Sequence, residues 1–146
     1  MMVRSLRRVA GAEFISRKVT PMTTSELAQK LVEMCRKGEN LKAIETLYDK
    51  GIVSVEPMAM PPMPAEMKGY DAVLGKSQWW MANHEVHSAK VDGPFVAGDK
   101  FVVIFDYDVT NKPSGKRMKM SEAGVYTVAN GKVTREEFYY HGEPGK

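Results

Sequence analysis

Between Lys100 and His141 the chain reads as three long strands in succession, FVVIFDYDVT (Phe101 to Thr110), RMKMSEAGVYTV (Arg117 to Val128) and KVTREEFYYH (Lys132 to His141). Asn111 to Gly115 separates the first two, and Ala129-Asn130-Gly131 the last two. The Asn-Gly pair matters because its two residues tolerate the positive φ that a tight hairpin turn demands. An antiparallel meander follows, and everything before it must cover that sheet.

What precedes it is mostly helical. Thr23 with Glu26 three residues on makes a capping box; Leu27, Leu31, Met34 and Cys35 recur at helical spacing, and Gly38 supplies a stop. A second helix is expected to begin at a cap on Asn40, to carry Leu41, Ile44, Leu47 and Tyr48 as one stripe, and to end at Gly51. Ile52 to Glu56 is a short strand closed by Pro57, and Gly69 opens a third helix running to about His84, with Val73, Ser77, Trp80, Met81 and His84 on one side. Glu85 to Asp92 is a further strand, broken at Gly93-Pro94. Helices first and an antiparallel sheet after them define an α+β class with the helices on one face.

A chain of 146 residues is the length of one domain, with a normal globular balance of 43% hydrophobic and 27% charged residues. Its first 20 residues hold five basic side chains against Glu13, which is +4 of the total +3 and leaves −1 for the rest. A nearly neutral folded part argues against a nucleic-acid partner, whose binding needs clustered basic surface. No apolar run reaches the about 20 residues that span a bilayer. Cys35 is the one cysteine, so no intrachain disulfide forms and a reducing cytoplasm is the expected setting. Residues 1–22 are Arg-rich and acid-poor; a transit peptide, a start assigned upstream of Met22 and a flexible tail are all compatible with them, and the domain is placed at 23–142.

Alternation along the strands selects the residues that look inward. Phe101, Val103, Phe105, Tyr107 and Val109 form one unbroken apolar set, which leaves Asp106 and Asp108 on the outer face. In the last strand Glu136, Phe138 and Tyr140 share a side, opposite Glu137, Tyr139 and His141. The middle strand sets Met118, Met120, Glu122, Gly124 and Tyr126 against Arg117, Lys119, Ser121, Ala123 and Val125, with nothing in the pattern to choose the inner set. Trp79 and Trp80 sit about 100° apart on a helix, so one is expected in the core and the other at a contact. The loop Pro57 to Pro64 carries Met58, Met60 and Met63, either plugging a core edge or forming a soft lid over a cavity. His84, His87 and His141 have no metal-ligand spacing and read as structural, and no nucleotide-binding or serine-hydrolase motif is present.

This order of elements, with TLYD (Thr46 to Asp49), IVSVEP (Ile52 to Pro57), Gly69, NGKV (Asn130 to Val133) and FYY (Phe138 to Tyr140), resembles the nuclear transport factor 2-like superfamily, its SnoaL-like branch and the ketosteroid isomerases above all. The resemblance covers Thr23 to Gly142. It implies a strongly curved, mostly antiparallel sheet wrapped around three helices as a cone, with a cavity at one end and a homodimer through the outer sheet face. It also implies that the side with Phe138 and Tyr140 lines the cavity, with Glu136 near its rim. Glu56, just before Pro57, occupies the place of the isomerases' proton-shuttling carboxylate, where desolvation suits a carboxylate to act as a general base. Leu31 stands where that family keeps its oxyanion tyrosine and Ala123 where its second acid lies, with Glu122 one residue off, so steroid isomerisation is disfavoured. The expected protein therefore binds an apolar or aromatic small molecule through Trp80, Phe105, Tyr107, Glu136, Phe138, Met58 and Met60. Any catalysis is expected to need no cofactor and no metal, with Glu56 as base and Tyr140 or Tyr107 as hydrogen-bond donor in isomerisation, cyclisation or hydration. The alternative is a non-catalytic ligand-binding or protein-interaction module on the same scaffold.

Overall fold

A computed structural model describes residues 20–141; the expectations for 1–19 and the domain limit at 142 lie outside the described residues. Helix α1 (Thr24–Arg36) begins on Thr23, whose Oγ1 accepts from Glu26 N at 3.1 Å, so the capping box forms. Helix α2 (Asn40–Leu47) follows, then β1 (Tyr48–Val55), β2 (Glu66–Lys68), α3 (Tyr70–Asn83), β3 (His84–Ala97), β4 (Lys100–Asn111), β5 (Lys116–Ala129) and β6 (Lys132–Tyr139). The helices and the curved sheet make an α+β cone.

Six strands form one sheet in the order β2-β1-β6-β5-β4-β3. All neighbours are antiparallel except β1 and β6, which run parallel. The β5–β6 turn has Asn130 at φ 51° and Gly131 at φ 71°, the conformation that the Asn-Gly pair predicts. Strand β3 runs through Gly93-Pro94 instead of stopping there, because the irregularity is absorbed as a register shift between Asp92 and Phe95. Gly93 sits at φ 120°, and a Cβ there would lie 2.9 Å from Val102 O. Arg36, at the end of α1, donates through Nε to Val91 O at 3.1 Å and through Nη2 to Gly93 O at 3.4 Å, tying the helix to this bend.

Two boundaries differ from the sequence reading. Asn40 is the first residue of α2 and not its cap; Glu39 holds the cap position and makes no side-chain capping bond. The helix ends at Leu47 because Tyr48 is already a strand residue, paired in parallel with Val133, so Gly51 lies inside β1. The three-residue strand β2, paired to β1 beyond the proline-methionine loop, was not expected.

The core fills the space between α1, α2 and the concave side of the sheet. Leu27, Leu31, Leu47, Ile52, Val73, Phe101, Val103, Val109 and Val133 are each at most 1% exposed. Burying each such side chain removes it from water at a gain of about 1.5–3 kcal/mol. The inner set of β4 is the apolar one, as alternation demands, while Asp108 faces outward in a two-bond pair with Arg117 at 2.9 and 3.0 Å, and Asp106 bonds Ser121. None of the described helices is long and apolar enough to cross a membrane.

Candidate functional site

Beyond the packed end of the cone the sheet and helices do not meet, and a half-open cavity of about 860 Å³ remains between α2, α3, β4, β5 and β6. Phe105, Tyr107, Phe138 and Trp80 line it, and Met58 and Met60 of the proline-methionine loop close one side. Met60 and Met63 bond each other's backbones at 3.0 and 2.7 Å, which folds the loop on itself. Met81, Met118 and Met120 add to the same soft wall.

The polar base of the cavity is one continuous chain of contacts. Residues Ile52, Ser54 and Glu56 alternate inward along β1 and its continuation, and Ser54 is directly opposite Glu136 of β6. Tyr140 Oη donates to Glu56 Oε2 at 2.8 Å, and Lys76 Nζ of α3 donates to Glu56 Oε1 at 2.8 Å and to Ser54 Oγ at 2.5 Å. Ser54 Oγ donates to Glu136 Oε1 at 2.8 Å, and Tyr48 Oη donates to Glu136 Oε2. Glu136 is 2% exposed, Ser54 0% and Lys76 7%, so Glu136 sits at the base of the cavity and not at its rim. The Lys76 ammonium also stands 5.4 Å from the centre of the Phe138 ring, a cation–π contact.

Burial pushes the Glu136 carboxyl up, against the opposing pull of Lys76 and of its bonds to Tyr48 and Ser54. Burial likewise raises the hydroxyls of Tyr107 and Tyr140, and lifts the Cys35 thiol to about 12, so that cysteine is a packed apolar group and no nucleophile.

Glu122 settles the open question of β5. Its in-register partner is Phe105, an inner residue of β4, so the set with Met118, Met120, Glu122 and Tyr126 faces the cavity and Ala123 faces out. Desolvation first, then the charges of Glu56 and Glu136, raise the Glu122 carboxyl to about 8 against the smaller opposing effect of Lys76. No side chain among the described residues bonds it, and burial favours its neutral form at the cavity wall.

Each cavity residue named from the sequence, Glu56, Met58, Met60, Trp80, Phe105, Tyr107, Glu136, Phe138 and Tyr140, lines this space. Neither tryptophan is core: Trp80 stacks on His84 at 4.3 Å and leans on Tyr107 at 5.7 Å, while Trp79 is 42% exposed, and both border the cavity. His141 also borders it, contrary to the strand alternation, because β6 ends at Tyr139 and the pleat does not extend that far. His84 and His87 are held by Trp80 O at 2.8 Å and Thr110 Oγ1 at 2.7 Å. No group of His, Cys, Asp or Glu suited to a metal ion exists among the described residues.

Lys76, Ser54, Tyr48 and Glu122 were missed as site residues. Lys76 is three residues after Val73 and four before Trp80, hence on the inward helical stripe, but a lysine there reads as solvated. Ser54 carried the same signal in the alternation with Ile52 and Glu56.

The family model described as a SnoaL-like domain matches residues 22–140. Among solved structures, a Mesorhizobium loti protein described as a SnoaL-like polyketide cyclase, and in the same words as a carbohydrate phosphatase, is 46% identical with a TM-score of 0.77, over 82% of this chain and 100% of that one. A Bacillus subtilis protein described as an isomerase is 18% identical with a TM-score of 0.67, over 82% and 90% of the two chains. A Catenulispora acidiphila protein with a ketosteroid isomerase-like fold, in complex with trimethylamine, is 21% identical with a TM-score of 0.63, over 82% and 88%. The last two likenesses carry the fold alone. No curated protein matches the chain at a significant level.

Proposed function

The chain belongs to the SnoaL-like domain family of the nuclear transport factor 2-like superfamily, and from that premise we propose that it holds a flat apolar or aromatic small molecule in the cone and moves a proton on it without a cofactor. The observation that carries the reading is that two carboxyl groups line one cavity in different surroundings. Glu56 is held at the cavity wall by Lys76 and Tyr140, while Glu122, its carboxyl raised to about 8 by burial, has no side-chain hydrogen-bond partner among the described residues. Environments that separate two carboxyl groups in this way assign one to each half of acid/base chemistry.

In this mechanism Glu56 takes a proton from carbon next to a carbonyl, and the charge that develops on the carbonyl oxygen is met by the Glu122 hydroxyl and by Tyr107. Fixed donors aimed at developing charge in a dry site supply much of the stabilisation such a step needs. Glu122, one residue before Ala123, supplies in this reading the donor that the isomerases take from their second acid. Tyr140 spends its proton on Glu56, so it orients the base and Tyr107 remains the tyrosine that faces the ligand. An enolate of this kind serves isomerisation, aldol cyclisation or hydration alike, and the Mesorhizobium loti relative's description as a polyketide cyclase suits it. A phosphate ester suits it poorly, because Lys76 is already paired and the Glu56 carboxylate at the cavity wall repels a dianion.

A homodimer through the outer face belongs to the same proposal. Phe95 pairs with Val102 and Tyr139 with Ala123, so two side chains exposed at 60% and 57% share the convex side with Val125 and Ile104. A reducing, cytoplasmic setting is part of it too, on the strength of one buried cysteine.

The two tryptophans of the sequence both border the cavity, so their fluorescence reports on what enters it. A titration with flat aromatic ketones and phenols is expected to give saturable changes, and Glu56→Gln is expected to keep binding while losing turnover. If no such compound moves the tryptophan signal, the enzyme reading fails and a protein-interaction module remains.

A further inference from the structure

The base of the cavity holds more machinery than one carboxylate base requires. Glu56, Lys76, Ser54 and Glu136 form a single file with links of 2.8, 2.5 and 2.8 Å, in which Lys76 donates both to Glu56 and to Ser54 and Ser54 donates on to Glu136. A buried polar chain of this length is costly unless each member is satisfied, and here none of the buried side-chain polar atoms among the described residues lacks a partner. Glu136 is the only member with no exposure to speak of that is also a carboxyl group. The groups that face it are Cys35 from α1, Tyr48, Ser54 and Glu56 from β1 and its continuation, Lys76 from α3, and Glu122 and Tyr126 from β5. Lys76 is the one cation among them, shared between two carboxyl groups.

We propose that Glu136 is the proton store of this cavity, receiving through Lys76 and Ser54 the proton that Glu56 takes at the wall. The inference rests on reading Glu56 as the base. In the transfer, Ser54 gives its hydroxyl proton to Glu136 Oε1 as Lys76 gives one to Ser54 Oγ. The neutral amine then turns about its Cε–Nζ bond and takes the proton from Glu56. Ser54 ends as a hydroxyl, Lys76 as an ammonium and Glu56 as a carboxylate, with one proton moved and nothing oxidised or reduced. The desolvation that raises the Glu136 carboxyl makes it the favoured end of the file. Such a file clears the base while the ligand is still bound, so the proton returned to the ligand need not be the one removed.

Infrared titration of the full chain tests this without any ligand. The acid carbonyl band of Glu122 is identified by its loss in Glu122→Gln. As the pH is lowered, the next acid band to grow is expected to vanish in Glu136→Gln and to persist in Glu56→Gln; the reverse result would overturn the proposal. In heavy water the Glu136 acid band is expected to exchange at least about tenfold more slowly in Ser54→Ala, a barrier increase of ~1.4 kcal/mol, with the rate restored in Ser54→Thr. Exchange as fast in Ser54→Ala as in the parent chain would also overturn it. A protein that binds no small molecule leaves both readouts intact, so failure of the store and failure of the enzyme reading are seen separately.

Discussion

Lys76 Nζ stands 2.8 Å from Glu56 Oε1, with the two side chains only 7% and 10% exposed. A pair this deep in the protein gains little over a well-packed apolar pair, but removing one partner strands the other's charge. Lys76→Met is therefore expected to cost about 3–5 kcal/mol of stability near neutral pH, read from urea unfolding. The double variant Lys76→Met/Glu56→Gln should recover part of that loss. A cost under about 1 kcal/mol, the range of an exposed pair, would mean that solvent reaches the ammonium and that the base of the cavity is wet.

Stability should fall as the solution is made more alkaline. Glu122 has its carboxyl raised to about 8 in the folded chain from an ordinary 4.5, so the folded state holds that proton more tightly than the unfolded one. The resulting contribution is complete below the ordinary value, is lost as the pH climbs through about 8, and is gone above it. Glu136, raised as well, adds to the same trend. Each unit of difference is worth about 1.4 kcal/mol, so the total is on the order of a few kcal/mol. Glu122→Gln is expected to flatten the profile and to exceed the parent chain in stability at alkaline pH. Urea midpoints measured across the range, if they slope equally in both chains, would remove Glu122 from the account.

The fold was legible because it rests on the strand period of two and the helix period of about 3.6 residues. The strands of the meander, the Asn130-Gly131 turn and the Thr23 cap all follow from local chemistry that tertiary contacts reinforce. Inner residues of β4 and β6 were legible for the same reason. The polar base of the cavity was not, since a buried lysine is recognisable only from the carboxylate that offsets its desolvation, and Glu56 lies 20 residues earlier on a different element. The inner face of β5 stayed open because Met118 and Met120 oppose Lys119 without excluding it; register with Phe105 decides it. Gly51 misled because a glycine after an apolar stripe marks a helix end, whereas Tyr48 leaves the helix early to reach Glu136.

Gly124 is a position where the cavity wall depends on a missing side chain. Tyr126 folds back along β5, and a Cβ on Gly124 would lie 2.8 Å from Tyr126 Cε2 and 3.0 Å from its hydroxyl. The ring has little room to yield, being stacked on Phe101 at 4.8 Å and edge-on to Phe138 at 6.3 Å. Gly124→Ala is expected to cost about 1–3 kcal/mol, the range for overpacking, and to weaken any ligand that rests on Phe138. A thermal midpoint unchanged from the parent chain would show that Tyr126 swings aside freely.

Tyr140 and Lys76 hold opposite oxygens of the same carboxylate, Oε2 and Oε1, each at 2.8 Å. Tyr140→Phe alone removes a hydrogen bond to a charged group, worth about 1.5–3 kcal/mol, and leaves Glu56 anchored by the lysine. In Lys76→Met the tyrosine is the one remaining hydrogen-bond donor to Glu56 among the described residues, and its loss on top of the lysine's frees the carboxylate altogether. Because the two act through one shared group, their effects should not add; an interaction energy of about 0.5–3 kcal/mol is expected from the double-mutant cycle. Strict additivity would mean that each donor acts on Glu56 independently and that the carboxylate keeps its place whichever partner is gone. In that case the carboxylate is steered by its backbone at Pro57 and not by the two side chains that touch it.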